Sequence, residues 1–181
     1  MEESPETTPG KTKQMDLDKI IIRKCRIGDI PQIIQIYNHY ITNTTATFEQ
    51  EAVSQKEMES RFNHISSHYP YIVAVQNNTI LGYAYAHLWK DKSAYSATLE
   101  STIYLSPLLH NRGIGTKLMT ELILQCKKAD IHSLIACITA ENTGSRIFHE
   151  KLGFRPVSSF KEVGLKFGRL LNIVDYQLII N

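Results

Sequence analysis

Two glycines, Gly113 and Gly115, separate a strand-like run that ends at Leu105 from an amphipathic stripe that begins at Ile114. Ile114, Leu118, Met119, Leu122, Ile123 and Cys126 recur at helical spacing, so the following helix has one apolar face to lay on a sheet. Ser106 and Pro107 end the strand, because proline gives no hydrogen bond to a central ladder. The chain must then turn sharply through His110, Asn111, Arg112, Gly113, Ile114, Gly115 and Thr116. That turn leaves the first N–H groups of the helix without partners, and these, with the positive end of the helix dipole, attract a pyrophosphate. Arg112 adds a charge-assisted contact. A G-x-G alone also opens helices for packing reasons, so the loop by itself leaves both readings standing. A P-loop is excluded by the missing G-x-x-x-x-G-K-[ST], and a dinucleotide fingerprint by the missing third glycine and acidic partner.

The remaining elements alternate. Ile20 to Ile22 open a β-branched strand, and a helix follows with Asp29 as N-cap and Gln32 completing a capping box. Residues 42–53 form a loop over a pocket, and a second helix runs from Ser54 to about His64. Tyr71 to Val75 and Ile80 to Leu88 pair as a hairpin across Asn77 and Asn78. Ala94 to Leu105 reads as one long strand and Ser133 to Thr139 as a short one. Asn142 to Leu152 is a helix closed by Gly153, and Phe154 onward supplies the last strands, through Ile173 to Ile180. Such an order implies a mixed α/β sheet.

At 181 residues and 43% hydrophobic content the chain supports one core, so residues 19–181 are expected to form a single domain. Residues 1–18 hold five carboxylates and little large apolar surface, and are expected to be a disordered tail. Twenty basic residues against eighteen acidic ones, without a basic run, argue against nucleic acid and membrane surfaces as partners. Cys25, Cys126 and Cys137 show no paired spacing, no apolar run reaches the roughly 20 residues of a membrane span, and the N-terminus lacks a signal-peptide core. A cytoplasmic location is expected. The histidines have no ligand spacing, so no metal is expected.

Read together, these segments resemble the GCN5-related N-acetyltransferase (GNAT) superfamily, whose coenzyme signature [QR]-x-x-G-x-[GA] is matched by His110 to Gly115. Further stretches narrow the resemblance to the phosphinothricin and methionine sulfoximine acetyltransferase group. They are Ile36 to His39, Asn43 to Phe48, Gly82 to Ala86, Glu100 to Leu105, Leu152 to Phe154 and Glu162 to Gly168. The resemblance implies a mostly antiparallel, splayed sheet flanked by helices, with acetyl-CoA as cosubstrate and no metal. It places the pantetheine on Ile103, Tyr104 and Leu105, the pyrophosphate on the amides of residues 111–116, and Asn142 on the pantetheine arm. It also implies a homodimer.

An amine attacks a thioester only as the free base, yet alkylammonium groups titrate near a pKa of roughly 10, so a positioned base helps at neutral pH. Glu100, the one charged residue of a strand that also holds Leu99, Thr102, Ile103, Tyr104 and Leu105, matches the position of the base in the family it resembles. The Leu105 amide is expected to donate to the developing oxyanion, and His149 to protonate the departing thiolate. Phe48, Tyr83, Glu100 and Tyr104 are expected to line the site of a small-molecule amine. The pattern departs at His110, where glutamine or arginine is usual, at Lys90 and Lys92 in place of arginines, and at Lys166-Phe167-Gly168 and Leu170-Leu171-Asn172, where polar groups have become apolar. The acceptor therefore stays open. So does a catalytically silent member that only senses acyl-CoA.

Overall fold

A computed structural model describes residues 17–180 and contains one seven-stranded sheet in the order β1-β2-β3-β4-β5-β7-β6. The strands are β1 Ile21–Lys24, β2 Tyr71–Gln76, β3 Thr79–Leu88, β4 Thr98–Leu105, β5 Ser133–Thr139, β6 Arg155–Lys166 and β7 Arg169–Ile179. The helices are α1 Ile30–Asn43, α2 Gln55–Ser66, α3 Ile114–Lys128 and α4 Thr143–Lys151. β4 and β5 run parallel, and every other pairing is antiparallel. The mostly antiparallel sheet read from the sequence is therefore present. Of the expected tail, residues 1–16 lie outside the described ones. Leu17–Lys19 form a 3-10 turn whose Leu17 carbonyl accepts from Lys117 Nζ at 2.6 Å.

The sheet buries two apolar faces. On one, Ala84, Ala86, Leu99, Leu134 and Tyr176 meet Ile114, Leu118, Met119 and Leu122 of α3, as its stripe requires. On the other, Val73, Tyr71 and Tyr83 meet Ile33, Tyr37 and Ile41 of α1 and Met58 and Phe62 of α2. Asn77 and Asn78, with φ of 50° and 62°, make the tight β2–β3 turn that asparagine tolerates.

Two expectations fail for tertiary reasons. Asp29 precedes α1 but makes no side-chain cap. Its carboxylate instead takes both Arg23 guanidinium nitrogens at 2.7 and 2.8 Å and the Arg26 N–H at 2.8 Å, while Gln32 reaches the β2–β3 hairpin through Ile80 N–H and the Asn78 carbonyl. A charged bidentate partner outcompetes a helix N–H. The strand expected from Ala94 begins only at Thr98, because Ser93–Tyr95 form a 3-10 turn. There Tyr95 packs edge-on to Trp89 with ring centroids 5.4 Å apart, and Lys90 Nζ lies 4.0 Å from the Trp89 ring centroid and 5.2 Å from that of Tyr95.

Candidate active site

The site begins where two parallel strands part. β4 and β5 are paired only at Thr98↔Ser133, Leu99↔Leu134 and Glu100↔Ile135. Ser101 Oγ donates to the Ile135 carbonyl at 3.1 Å just past that point. Beyond it β4 continues to Leu105 and β5 to Thr139 without further pairing. The β3 side of β4 stays laddered through Gly82↔Leu105, and Ser106 N–H donates to the Leu81 carbonyl at 2.8 Å. Main-chain groups alternate sides along a strand, so those of Ile103 and Leu105 turn away from β3 and into the split. The Leu105 carbonyl there accepts from Tyr40 Oη at 2.7 Å. Tyr104 differs: its main chain serves β3, and its side chain packs with Tyr37 and Tyr40 on the α1 face.

At the end of the same strand the chain enters the loop. Gly113 holds φ at 77°, a left-handed value that costs a side chain dearly, and precedes α3 with no side-chain cap. The amides of the first turn are thus left for a ligand. Asn111, Arg112, Gly113 and Thr116 are exposed, whereas Ile114 and Gly115 are buried beneath them. His110 Nε2 lies 3.0 Å from Tyr40 Oη.

Glu100 is the last β4 residue still paired with β5, so its carboxylate stands at the apex of the split. Period-two alternation puts it on the same face as His87, Thr102 and Tyr104, and as Ile135, Cys137 and Asp175 of the neighbouring strands. Its side chain is 30% exposed, and His87 Nε2 lies 4.0 Å from Oε1. Burial pushes its pKa up, the His87 charge opposes that, and the Asp175 carboxylate adds to it. A carboxylate held in this way binds a proton more readily than an ordinary one.

On the same face of the sheet, reached from Glu100 through Cys137, is a groove of about 440 Å³ lined by Phe48, Gln50, Cys137, Val163, Leu165 and Ile173. The loop after α1 forms its wall and is pinned at several points. Thr45 Oγ1 donates to Glu141 at 2.7 Å, Thr139 Oγ1 to the Thr45 carbonyl at 2.5 Å, and the buried Lys166 Nζ to the Thr47 carbonyl at 2.6 Å. Desolvation lowers the Lys166 pKa. Cys137 is exposed on β5, and desolvation with the Asp175 and Glu100 charges pushes its thiol up to about 12, far from a thiolate. Tyr83 is elsewhere: it is 1% exposed, stacks with Tyr71 and Tyr85, and lines a separate cavity of about 140 Å³ under α2. Phe48 thus lines this groove, Glu100 shares its sheet face with the groove's Cys137, and Tyr83 does not line it.

Residues 22–173 match the acetyltransferase (GNAT) domain. The chain belongs to the GNAT acetyltransferase family. It is 36% identical over 162 residues to the phosphinothricin N-acetyltransferase of Alcaligenes faecalis, covering 88% of this chain and 82% of that one. It is 30% identical over 161 residues to the L-methionine sulfoximine/L-methionine sulfone acetyltransferase of Salmonella typhimurium, covering 87% and 92%. Its backbone matches that of a phosphinothricin acetyltransferase from Sinorhizobium meliloti, solved with acetyl-CoA, at a TM-score of 0.86 and 34% identity over 89% of this chain and 88% of that one. The GNAT fold and an acetyl-CoA-dependent N-acetyltransferase activity follow for this chain.

Within this GNAT site, α4 contributes two of the expected residues. Asn142 caps α4, its Oδ1 accepting from Ser145 N–H at 3.1 Å, which leaves its amide nitrogen to donate elsewhere. His149 is 3% exposed, wedged edge-on between Phe148 and Phe154 with ring centroids 5.1 Å from each. Its Nδ1 lies 2.8 Å from the Ser145 carbonyl, which can only accept, so Nδ1 carries the hydrogen. Burial lowers its pKa, which keeps the ring neutral and Nε2 bare.

Sequence reasoning did not single out Tyr40, His87 or Asp175. Each acts across the sheet or from a neighbouring helix, and only strand register would have shown it. The alternation of β3 against β4 was the available signal for His87.

Proposed function

We propose that this enzyme acetylates the amine of a small molecule of the kind its relatives are named for, an amino acid analogue such as phosphinothricin or methionine sulfoximine, with Glu100 as general base. The single observation that carries this reading is the position of Glu100, a shielded carboxylate at the apex of the β4–β5 split. In this reading the pantetheine of acetyl-CoA lies along the Ile103 and Leu105 main chain, aided by Asn142. The pyrophosphate rests on the amides of residues 111–116, beside Arg112. The acceptor enters along the groove under Phe48, with Tyr104 behind it.

Glu100 takes a proton from the ammonium, directly or through water, and the freed nitrogen attacks the thioester carbon. Negative charge then gathers on the former carbonyl oxygen, where the Leu105 N–H donates to it. Collapse breaks the carbon–sulfur bond. The thiolate, with a pKa near about 8.5, takes its proton from solvent. That revises the role expected for His149, whose neutral form has no proton on Nε2 to give.

The groove is mostly apolar, so a nonpolar acceptor side chain fits it better than a second charged group. A silent acyl-CoA sensor has no use for a shielded carboxylate beside the thioester. A panel of amines tests the reading through thiol release from acetyl-CoA, and no release with any of them would refute it.

The hairpin of β6 and β7 exposes Phe160, Val163, Leu165, Phe167 and Leu170, each 47–56% accessible. We read that apolar surface as the contact of a homodimer. Sedimentation showing only monomer at working concentrations contradicts it. Cys25, Cys126 and Cys137 are free thiols, which favours a reducing cytoplasm.

A further inference from the structure

We propose that His87 is the proton relay of Glu100: it takes from the Glu100 carboxyl the proton given up by the acceptor and passes it to water. The inference rests on the reading of Glu100 as base. His87 and Glu100 are direct partners across β3 and β4, so their side chains leave the same face side by side. His87 Nδ1 lies 2.9 Å from the Leu88 carbonyl. A carbonyl only accepts, so Nδ1 carries the hydrogen, and in that tautomer Nε2 is the nitrogen with a lone pair. That nitrogen is the one turned to the carboxylate, 4.0 Å from Oε1. The gap is too long for a hydrogen bond and is closed by a small side-chain rotation or one bridging water.

Both side chains keep contact with solvent, at 35% and 30% exposure, so a proton handed to His87 has a way out. The other titratable groups around the pair do not compete for it. Asp175 on β7 repels negative charge on Glu100 and raises its proton affinity. The Cys137 thiol on β5 and the Tyr85 phenol on β3, whose ring is 5.8 Å from His87, are each pushed up to about 12 and stay protonated. His87 is thus the basic group that acts on Glu100 among the described residues.

The balance closes within one turnover. The ammonium loses one proton to the Glu100 carboxylate, and the resulting acid passes it to His87 Nε2. The imidazolium releases it to water, which restores carboxylate and neutral imidazole. The adjacent imidazole gives the Glu100 proton an acceptor held in place beside the carboxyl, in addition to bulk water.

The test compares wild type, His87→Gln, His87→Ala and each combined with Glu100→Gln, by thiol release from acetyl-CoA. The assay amine is the fastest among phosphinothricin, methionine sulfoximine, the common amino acids and primary alkylamines. Both His87 variants should lower kcat by about tenfold with the KM for acetyl-CoA unchanged. The acid limb of the pH profile should move to higher pH, because a cationic His87 favours the Glu100 carboxylate. Added imidazole should restore the rate of His87→Ala, and neither change should matter once Glu100 is glutamine. His87→Gln guards against misfolding, since its amide can still donate to the Leu88 carbonyl. An unmoved kcat and acid limb would overturn the relay, as would a loss that imidazole leaves in place and that persists beside Glu100→Gln. Absence of release with every amine refutes acetyl transfer itself, whereas release without any His87 effect refutes the relay alone.

Discussion

The Tyr40 hydroxyl donates to the Leu105 carbonyl at 2.7 Å and lies 3.0 Å from His110 Nε2. A hydroxyl has one hydrogen, and Leu105 can only accept it, so His110 must donate to the Tyr40 oxygen from a protonated Nε2. Burial pushes the Tyr40 phenol up to about 12, so it remains a donor throughout the working range. One side chain from α1 therefore ties the end of β4 to the start of the glycine loop before α3. Histidine at 110, a departure from the family signature, is tied into the site through this contact.

Replacing Tyr40 with phenylalanine removes that tie and keeps the ring. We expect a stability loss of about 1 kcal/mol, as for one hydrogen bond, and a KM for acetyl-CoA raised severalfold. Thermal melts and initial rates at varied acetyl-CoA check it, and an unchanged KM would show that the Leu105 carbonyl needs no anchor.

Asn142 is expected to have two separable jobs. Asn142→Ala loses the α4 cap and should cost about 1 kcal/mol, whereas Asn142→Asp keeps a capping oxygen and should melt close to wild type. Both lose the amide donor, so both should bind acetyl-CoA more weakly by calorimetry. Wild-type affinity in Asn142→Asp would leave Asn142 as a cap alone.

Glu100 should make stability depend on pH in a known direction. Its folded pKa lies above the unfolded value of about 4.3, so the native state binds more protons between the two. The stability it contributes is complete below the unfolded value and is lost as pH rises through the raised one. Glu100→Gln should therefore melt higher than wild type at neutral pH relative to acid pH. Melting curves whose difference stays constant from acid to neutral pH would contradict the shift.

Much of this site could be read from residue order because its signals are local. Gly113 needs its left-handed turn within the loop itself, Asn77 and Asn78 close their hairpin alone, and the α3 stripe lies within one helix. What escaped was set by partners distant in sequence. Asp29 looked like a cap until Arg23 claimed its carboxylate, and Ala94 looked like strand until Tyr95 packed on Trp89. His87 carried no motif, and only the register that sets it opposite Glu100 shows its place. His149 matched a pattern, yet its proton is committed to the Ser145 carbonyl.

The most direct test of the account is the single-turnover rate of acetyl transfer by Glu100→Gln saturated with acetyl-CoA, measured beside wild type with the same amine. The account predicts a rate slower by about 10² to 10⁴, with coenzyme affinity unchanged. A rate within about a factor of two of wild type would remove Glu100 from the chemistry.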